Sequence, residues 1–205
     1  MSGAVAIFGV AAALRLAVPA GYAEGAPPGF SGGFGEDSCH ACHFHAEPNA
    51  GGGRVTIDGL PAAYAPGGRY ALTVRLTRAG MRVAGFQMTA RFTDGGRQAG
   101  SLEPGPAEPG RVAVETQGGL AYAGQKKAGA APNASDTATW TVIWTAPASG
   151  SVVFSVAANA ADGDGTAEGD YVYTAAIEIA PREPRESPTS GPAPSVSPPR
   201  APPSP

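Results

Sequence analysis

The sequence is poor in charge, in cysteine and in histidine. Charged residues make up 15% of the 205-residue chain and the formal net charge is −3, so no basic face for nucleic acid is expected. Only two cysteines and three histidines are present. All three histidines lie in one short segment, so neither a Ser-His-Asp arrangement nor a paired-carboxylate cleft is supported. We predict that the protein is not an enzyme.

The chain also lacks any sustained helical periodicity. From residue 54 onward apolar and polar residues alternate, which places one side of each strand in a core and the other in water. The alternating runs are residues 70–77, 86–93, 139–145, 152–156 and 171–179. Turn residues rich in Gly, Pro and Asp separate them. Several short alternating strands with regular turns predict an all-β fold, an antiparallel β-sandwich.

Composition divides the chain into four parts. Residues 1–23 contain an apolar run that Arg15 interrupts. This run is too short and broken for a membrane span and is typical of a signal peptide; an uncleaved N-terminal anchor is the alternative. Residues 24–53 form a Gly-rich loop, residues 54–180 the sandwich domain, and residues 181–205 a Pro/Ser-rich tail predicted to be disordered.

The predicted N-terminal signal peptide indicates the cellular location of the protein. It predicts secretion across the inner membrane, to the periplasm or the cell surface. We expect no membrane span in the mature chain, and an oxidising compartment around its cysteines.

The most informative stretch is Cys39-His40-Ala41-Cys42-His43, followed two residues later by His45. The C-x-x-C-H pattern is the attachment signature of c-type haem. Cys39 and Cys42 would add across the two vinyl groups of one porphyrin. His43 would then provide the proximal imidazole ligand to the iron. The segment predicts one covalently bound haem c.

Three other interpretations of the same residues remain open. Cys39 and Cys42 could form a disulfide in an oxidising compartment. The two cysteines and two of His40, His43 and His45 could hold a structural zinc, the alternative cofactor, although the chain offers no second ligand cluster. A thiol redox motif is the third alternative, but no βαβ context accompanies it.

The sixth iron ligand has several candidates. His40 and His45 share a short segment with His43, so reaching the opposite face of the porphyrin is awkward for either. Met88 lies on the inward face of its strand, where a core methionine is more common than a ligand. Met81 follows Ala79-Gly80 in a turn and is expected to reach further. Water or a side chain of a partner would serve otherwise.

A second polar stretch carries alternating carboxylates. Asp162, Asp164, Glu168 and Asp170 lie within nine residues, a pattern similar to that of a hard-cation loop. The full twelve-residue pattern with its terminal Glu is missing. A polar loop connecting two strands is the favoured interpretation.

Four ordered stretches carry a resemblance to a known family: residues 25–43, 84–90, 140–147 and 153–173. Over some 150 residues the chain resembles the reeler-like "choice-of-anchor V" domains of exported bacterial proteins. The resemblance implies an immunoglobulin-like sandwich with the C-x-x-C-H segment packed near its N-terminal edge. Relatives often carry a histidine in the strand matched by residues 112–116. This chain has Glu115 there, so the resemblance supplies no histidine sixth ligand.

Two classes of function follow. The first is an exported mono-haem, cytochrome-like domain for electron transfer or haem presentation, with an unknown extracytoplasmic redox partner protein. The second is a β-sandwich adhesion or interaction module in which the C-x-x-C-H segment is a structural disulfide or zinc clip. A reduced-minus-oxidised optical spectrum separates the two.

Overall fold

The computed structural model describes residue 22 and residues 24–183. The signal peptide predicted at 1–23 and the tail beyond residue 183 lie outside this part of the chain, apart from Tyr22. The strands are β1 (Arg54–Asp58), β2 (Ala63–Tyr64), β3 (Arg69–Thr77), β4 (Val83–Phe92), β5 (Ser101–Pro104), β6 (Val112–Gln117), β7 (Leu120–Gln125), β8 (Thr137–Thr145), β9 (Val152–Ala161) and β10 (Tyr171–Pro181). Two short 3-10 turns, Cys39–Ala41 and Lys127–Gly129, complete the elements.

These strands form two sheets. The smaller sheet has the order β1-β3-β8-β5, and the larger has the order β2-β10-β9-β4-β7-β6. Every pairing is antiparallel except that of β2 with β10, which is parallel. The predicted all-β sandwich is therefore confirmed. Pro181 pairs with Tyr64, so the last strand extends one residue past the predicted domain boundary.

The two sheets meet through aromatic side chains. Trp140 of β8 stacks on Phe86 of β4 with ring centroids 4.6 Å apart. Trp144, also on β8, meets Phe154 of β9 edge-on at 4.8 Å. The alternation in β8 predicted this inward row, and both tryptophans are fully buried. Each indole N–H donates to a backbone carbonyl, that of Gly129 at 2.8 Å for Trp140 and that of Ala99 at 2.9 Å for Trp144, so the core leaves neither donor unpaired.

The opposite face of the larger sheet differs from the expectation. Alternation predicted that this face lies in water, yet its central polar side chains are buried. They are Gln87, Thr89, Arg91, Ser155 and Asn159. The covering layer is the Gly-rich segment before β1.

Two contacts show how closely the Gly-rich segment approaches the sheet. A Cβ added at Gly33 would lie 2.0 Å from the Ser155 hydroxyl oxygen, so only glycine fits there. The backbone N–H of Phe30 donates to the Gln87 side-chain oxygen at 2.6 Å. The Gly-rich segment is therefore a third layer on the larger sheet rather than a free loop.

A buried polar network fixes this layer. The Glu36 carboxylate accepts hydrogen bonds from Arg91 of β4, from the Tyr122 hydroxyl of β7 and from the Ser31 hydroxyl at 2.8 Å. Burial opposes ionisation of Glu36, but these hydrogen bonds outweigh it and hold its pKa below the usual value. Glu36 lies three residues before Cys39, so the network anchors the segment just ahead of the cysteines.

Candidate functional site

The Cys39–Ala41 turn is formed by local hydrogen bonds. Ser38 caps it, because its hydroxyl accepts from the backbone N–H of His40 at 3.2 Å. The backbone N–H of His43 donates to the Cys39 carbonyl at 3.0 Å. The turn contacts β9 and β10 of the larger sheet. Local chemistry therefore sets the shape of the segment, and the third layer sets its position.

The two cysteines of the turn lie in different surroundings. Both are free thiols; Cys39 is half-buried and Cys42 is exposed. Burial raises the pKa of the Cys39 thiol to about 12, so Cys39 remains a protonated thiol at neutral pH. The structure thus shows no disulfide between them, and its two thiols differ in access.

His43 is held by a buried carboxylate. Its Nδ1 lies 2.6 Å from Oδ2 of Asp170, and Asp170 is only 2% exposed. Asp170 directly precedes β10, 127 residues away in the chain. A histidine that donates Nδ1–H to a carboxylate presents Nε2 as its ligating nitrogen, an arrangement common among metal-binding histidines. Sequence reasoning placed Asp170 in the acidic loop and missed this contact.

His45 is held on the same end of the sandwich by different partners. Its Nδ1 lies 3.0 Å from the Glu168 carboxylate, and its ring meets that of Tyr171 edge-on at 5.0 Å. The guanidinium of Arg78 covers the Tyr171 ring at 3.6 Å from the centroid. These contacts direct His45 toward the β9–β10 connection. The other histidine candidate, His40, is half-buried within the turn.

The methionine candidates lie in the sandwich core. Met88 is fully buried on β4, as its inward position predicted. Met81 was expected to be free to reach an iron atom, and this expectation is wrong, because its side chain packs in the same core and is 6% exposed. Glu115 lies on β6, three strands from β9, a separation of about 14 Å. None of these three side chains lies beside the turn.

The first part of the acidic stretch, residues 162–166, is held by hydrogen bonds within the loop. The backbone N–H of Asp164 donates to the Asp162 carboxylate at 3.0 Å, and that of Thr166 donates to Asp164 at 2.7 Å. Backbone and side-chain hydrogen bonds from Thr166 hold the Asp164 pKa below its usual value. Asp162 and Asp164 thus hold the turn itself, as the polar-loop interpretation expects, whereas Glu168 and Asp170 contact His45 and His43.

Within residues 24–183 and at residue 22, no three His, Cys, Asp or Glu side chains are grouped so that they could hold a metal ion. That part of the chain also contains no helix with the length and apolar character needed to cross a membrane.

Two grooves lie at the surface of the larger sheet. One lies beside β6 and β7 and includes Glu24, Gln87 and Glu115. A larger open groove lies where β4 ends and β9 begins and includes Phe92 and Gly150. The Cys39–Ala41 turn and His43 line neither groove.

The chain is similar to several solved structures at low sequence identity. No protein-family model matches the chain, and no curated protein matches it. The Reelin-N domain of F-spondin is similar in structure, with 15% identity, coverage of 70% of this chain and 95% of that domain, and a TM-score of 0.44. A human F-spondin reeler domain matches with 15% identity, 63% and 92% coverage, and a TM-score of 0.43.

A bacterial domain is similar to the same degree. The cohesin module of a Clostridium perfringens family 33 glycoside hydrolase matches with 12% identity, 62% coverage of this chain, 95% coverage of that module and a TM-score of 0.43. These likenesses concern the fold alone. The fold and the site together define an all-β sandwich that carries a Cys-x-x-Cys-His turn in a third layer. This assignment rests on the strands and core of the chain itself.

Proposed function

We propose that the protein is an exported, mono-haem c-type domain that transfers electrons to, or presents its haem to, an extracytoplasmic partner. The observation that carries the proposal is the His43 geometry. Two free thiols and one imidazole lie on a single short turn, and Asp170 engages Nδ1 of that imidazole, so Nε2 is the nitrogen available to a metal.

The residues present fit a covalently attached haem. Cys39 and Cys42 would each be attached by addition of the S–H bond across a vinyl group, with sulfur on one vinyl carbon and hydrogen on the other, so no oxidant would be required. Cys42 is exposed and Cys39 is half-buried, and both are free thiols. His43 would ligate the iron through Nε2. When bound, haem supplies a one-electron couple.

The position of the turn suits exchange with a partner. It lies outside the sandwich core, and Phe44 beside it is 63% exposed. A group attached there would have an edge open to solvent, and electrons pass between proteins where such edges approach each other. We also propose that the chain belongs to the reeler-like choice-of-anchor V family, because four stretches of its sequence resemble that family. The proposal includes no catalytic step.

The test is an optical spectrum of protein produced with a c-type haem maturation system. A reduced-minus-oxidised difference spectrum with sharp bands typical of c-type haem is expected. Cys42→Ala is the matched variant, because it removes one thioether bond at an exposed position; we expect its haem bands to shift or to be lost. A flat difference spectrum for the unaltered protein would instead favour the adhesion or interaction module, with the turn as a structural clip.

A further inference from the structure

We propose that Asp170 is a positioning residue that directs Nε2 of His43 toward the iron and lowers the reduction potential of the haem. This inference rests on the proposed function. Asp170 would touch neither haem nor iron and would act only through His43.

Two independent elements hold the two partners. Asp170 precedes Tyr171, which pairs with Ala160 in the ladder of β10 and β9. His43 is fixed from the other side, because its backbone N–H donates to Cys39 within the turn. The 2.6 Å contact between Nδ1 and Oδ2 therefore joins the turn to the end of the sheet, and the ring cannot rotate without breaking it.

The carboxylate of Asp170 is left with spare acceptor capacity. Among the described residues its Oδ1 has no hydrogen-bond partner and is buried. Few polar groups and little water screen a buried carboxylate, so its charge interacts strongly with a nearby cation. A carboxylate on Nδ1–H also makes the imidazole a more basic ligand. Both effects favour ferric over ferrous iron, because the ferric ion carries one more positive charge.

His45 provides the matched comparison within the same segment. Its Nδ1 contacts a carboxylate at 3.0 Å, but the Glu168 side chain is 79% exposed, whereas that of Asp170 is 2% exposed. Water screens the Glu168 charge. The two His–carboxylate pairs are therefore alike in chemistry and differ in burial, which is the property that the inference depends on.

The experiment compares reduction potentials of haem-loaded variants by spectroscopic redox titration. Asp170→Asn keeps an oxygen that accepts from Nδ1–H but removes the charge, so its potential should shift to a more positive value than that of the unaltered protein. Asp170→Glu, which keeps the charge, should recover part of the shift. Glu168→Gln removes a charge that water already screens, so it should shift the potential less than Asp170→Asn does. An unchanged potential in Asp170→Asn overturns the inference.

A second measurement covers the case in which Asp170→Asn does not fold. In the unaltered protein, reduced and saturated with carbon monoxide so that it is diamagnetic, proton NMR should show a strongly deshielded Nδ1 proton on His43. An Nδ1 proton at the position of a solvent-exposed imidazole would overturn the inference. Absence of haem from the unaltered protein overturns the proposed function and this inference together, whereas haem with an unchanged potential overturns the inference alone.

Discussion

Replacement of Glu36 by glutamine tests whether the third layer is anchored by a buried charge. Glu36 faces Arg91, and their side chains are 16% and 6% exposed. Glutamine keeps one oxygen that accepts from Ser31, Tyr122 or Arg91, but it leaves the guanidinium without a counter-charge. Removal of one partner from a buried ion pair typically costs about 3–5 kcal/mol. Because one acceptor oxygen remains, we expect a loss of about 3 kcal/mol in the free energy of unfolding.

Urea denaturation followed by tryptophan fluorescence measures this loss. Trp140 and Trp144 are both fully buried between the sheets, so their emission reports unfolding of the whole sandwich. A loss of about 3 kcal/mol corresponds to a fall of roughly 1–2 M in the urea midpoint for a protein of this size. The denaturant dependence itself should change little, because the folded surface is nearly the same.

Glu103→Gln is the control for this measurement. Glu103 pairs with Arg69 on the smaller sheet, and both side chains are more than half exposed, 52% and 58%. An exposed ion pair contributes about 0–1 kcal/mol, so the control should lie close to the unaltered protein. If Glu36→Gln is as stable as Glu103→Gln, the ion pair does not anchor the segment and the reasoning is refuted.

The remaining predictions concern pH, the core and the cysteines. The folded-state pKa of Glu36 is lowered, so the ionised Glu36 stabilises the fold above its unfolded pKa near 4.5, and this stabilisation is lost as the pH falls through the folded-state pKa. The urea midpoint of Glu36→Gln should therefore vary less with pH, between about 5 and 3, than that of the unaltered protein. Met88→Ala should lower the free energy of unfolding by about 2–5 kcal/mol, and Met81→Ala should lower it by no more than that. Neither variant should change a haem spectrum; loss of a band near 695 nm in Met81→Ala would contradict the placement of Met81 in the core. Cys39→Ala combined with Cys42→Ala should lose haem yet keep a β-type circular dichroism spectrum, since the aromatic core forms without the turn; a random-coil spectrum would show otherwise.

The sequence predicted the long strands and missed the short ones for physical reasons. β3, β4, β8, β9 and β10 each carry a row of large apolar side chains on alternate positions, and that row is what alternation detects. β5 has four residues and ends in Pro104, so too little pattern exists. The strand at residues 112–116, which the family resemblance implied, is β6, and the Gly118-Gly119 turn after it is typical of a hairpin.

The third layer and the partners of the histidines could not be predicted in the same way. Alternation says which side of a strand is apolar, but it does not say whether another segment covers the polar side, and here Arg91 and Ser155 are buried under glycines. The Cys-x-x-Cys-His cluster is local and was recognisable from spacing alone. Asp170 is not, because only the sheet ladder brings it beside His43 from 127 residues away.

The most direct test of the central claim is the intact mass of the protein produced with a c-type maturation system and then extracted with acidified organic solvent. Covalent attachment through Cys39 and Cys42 predicts the mature polypeptide mass plus one haem, which survives extraction and is absent from the Cys39→Ala, Cys42→Ala double variant. A polypeptide mass with no added haem under these conditions would contradict the claim.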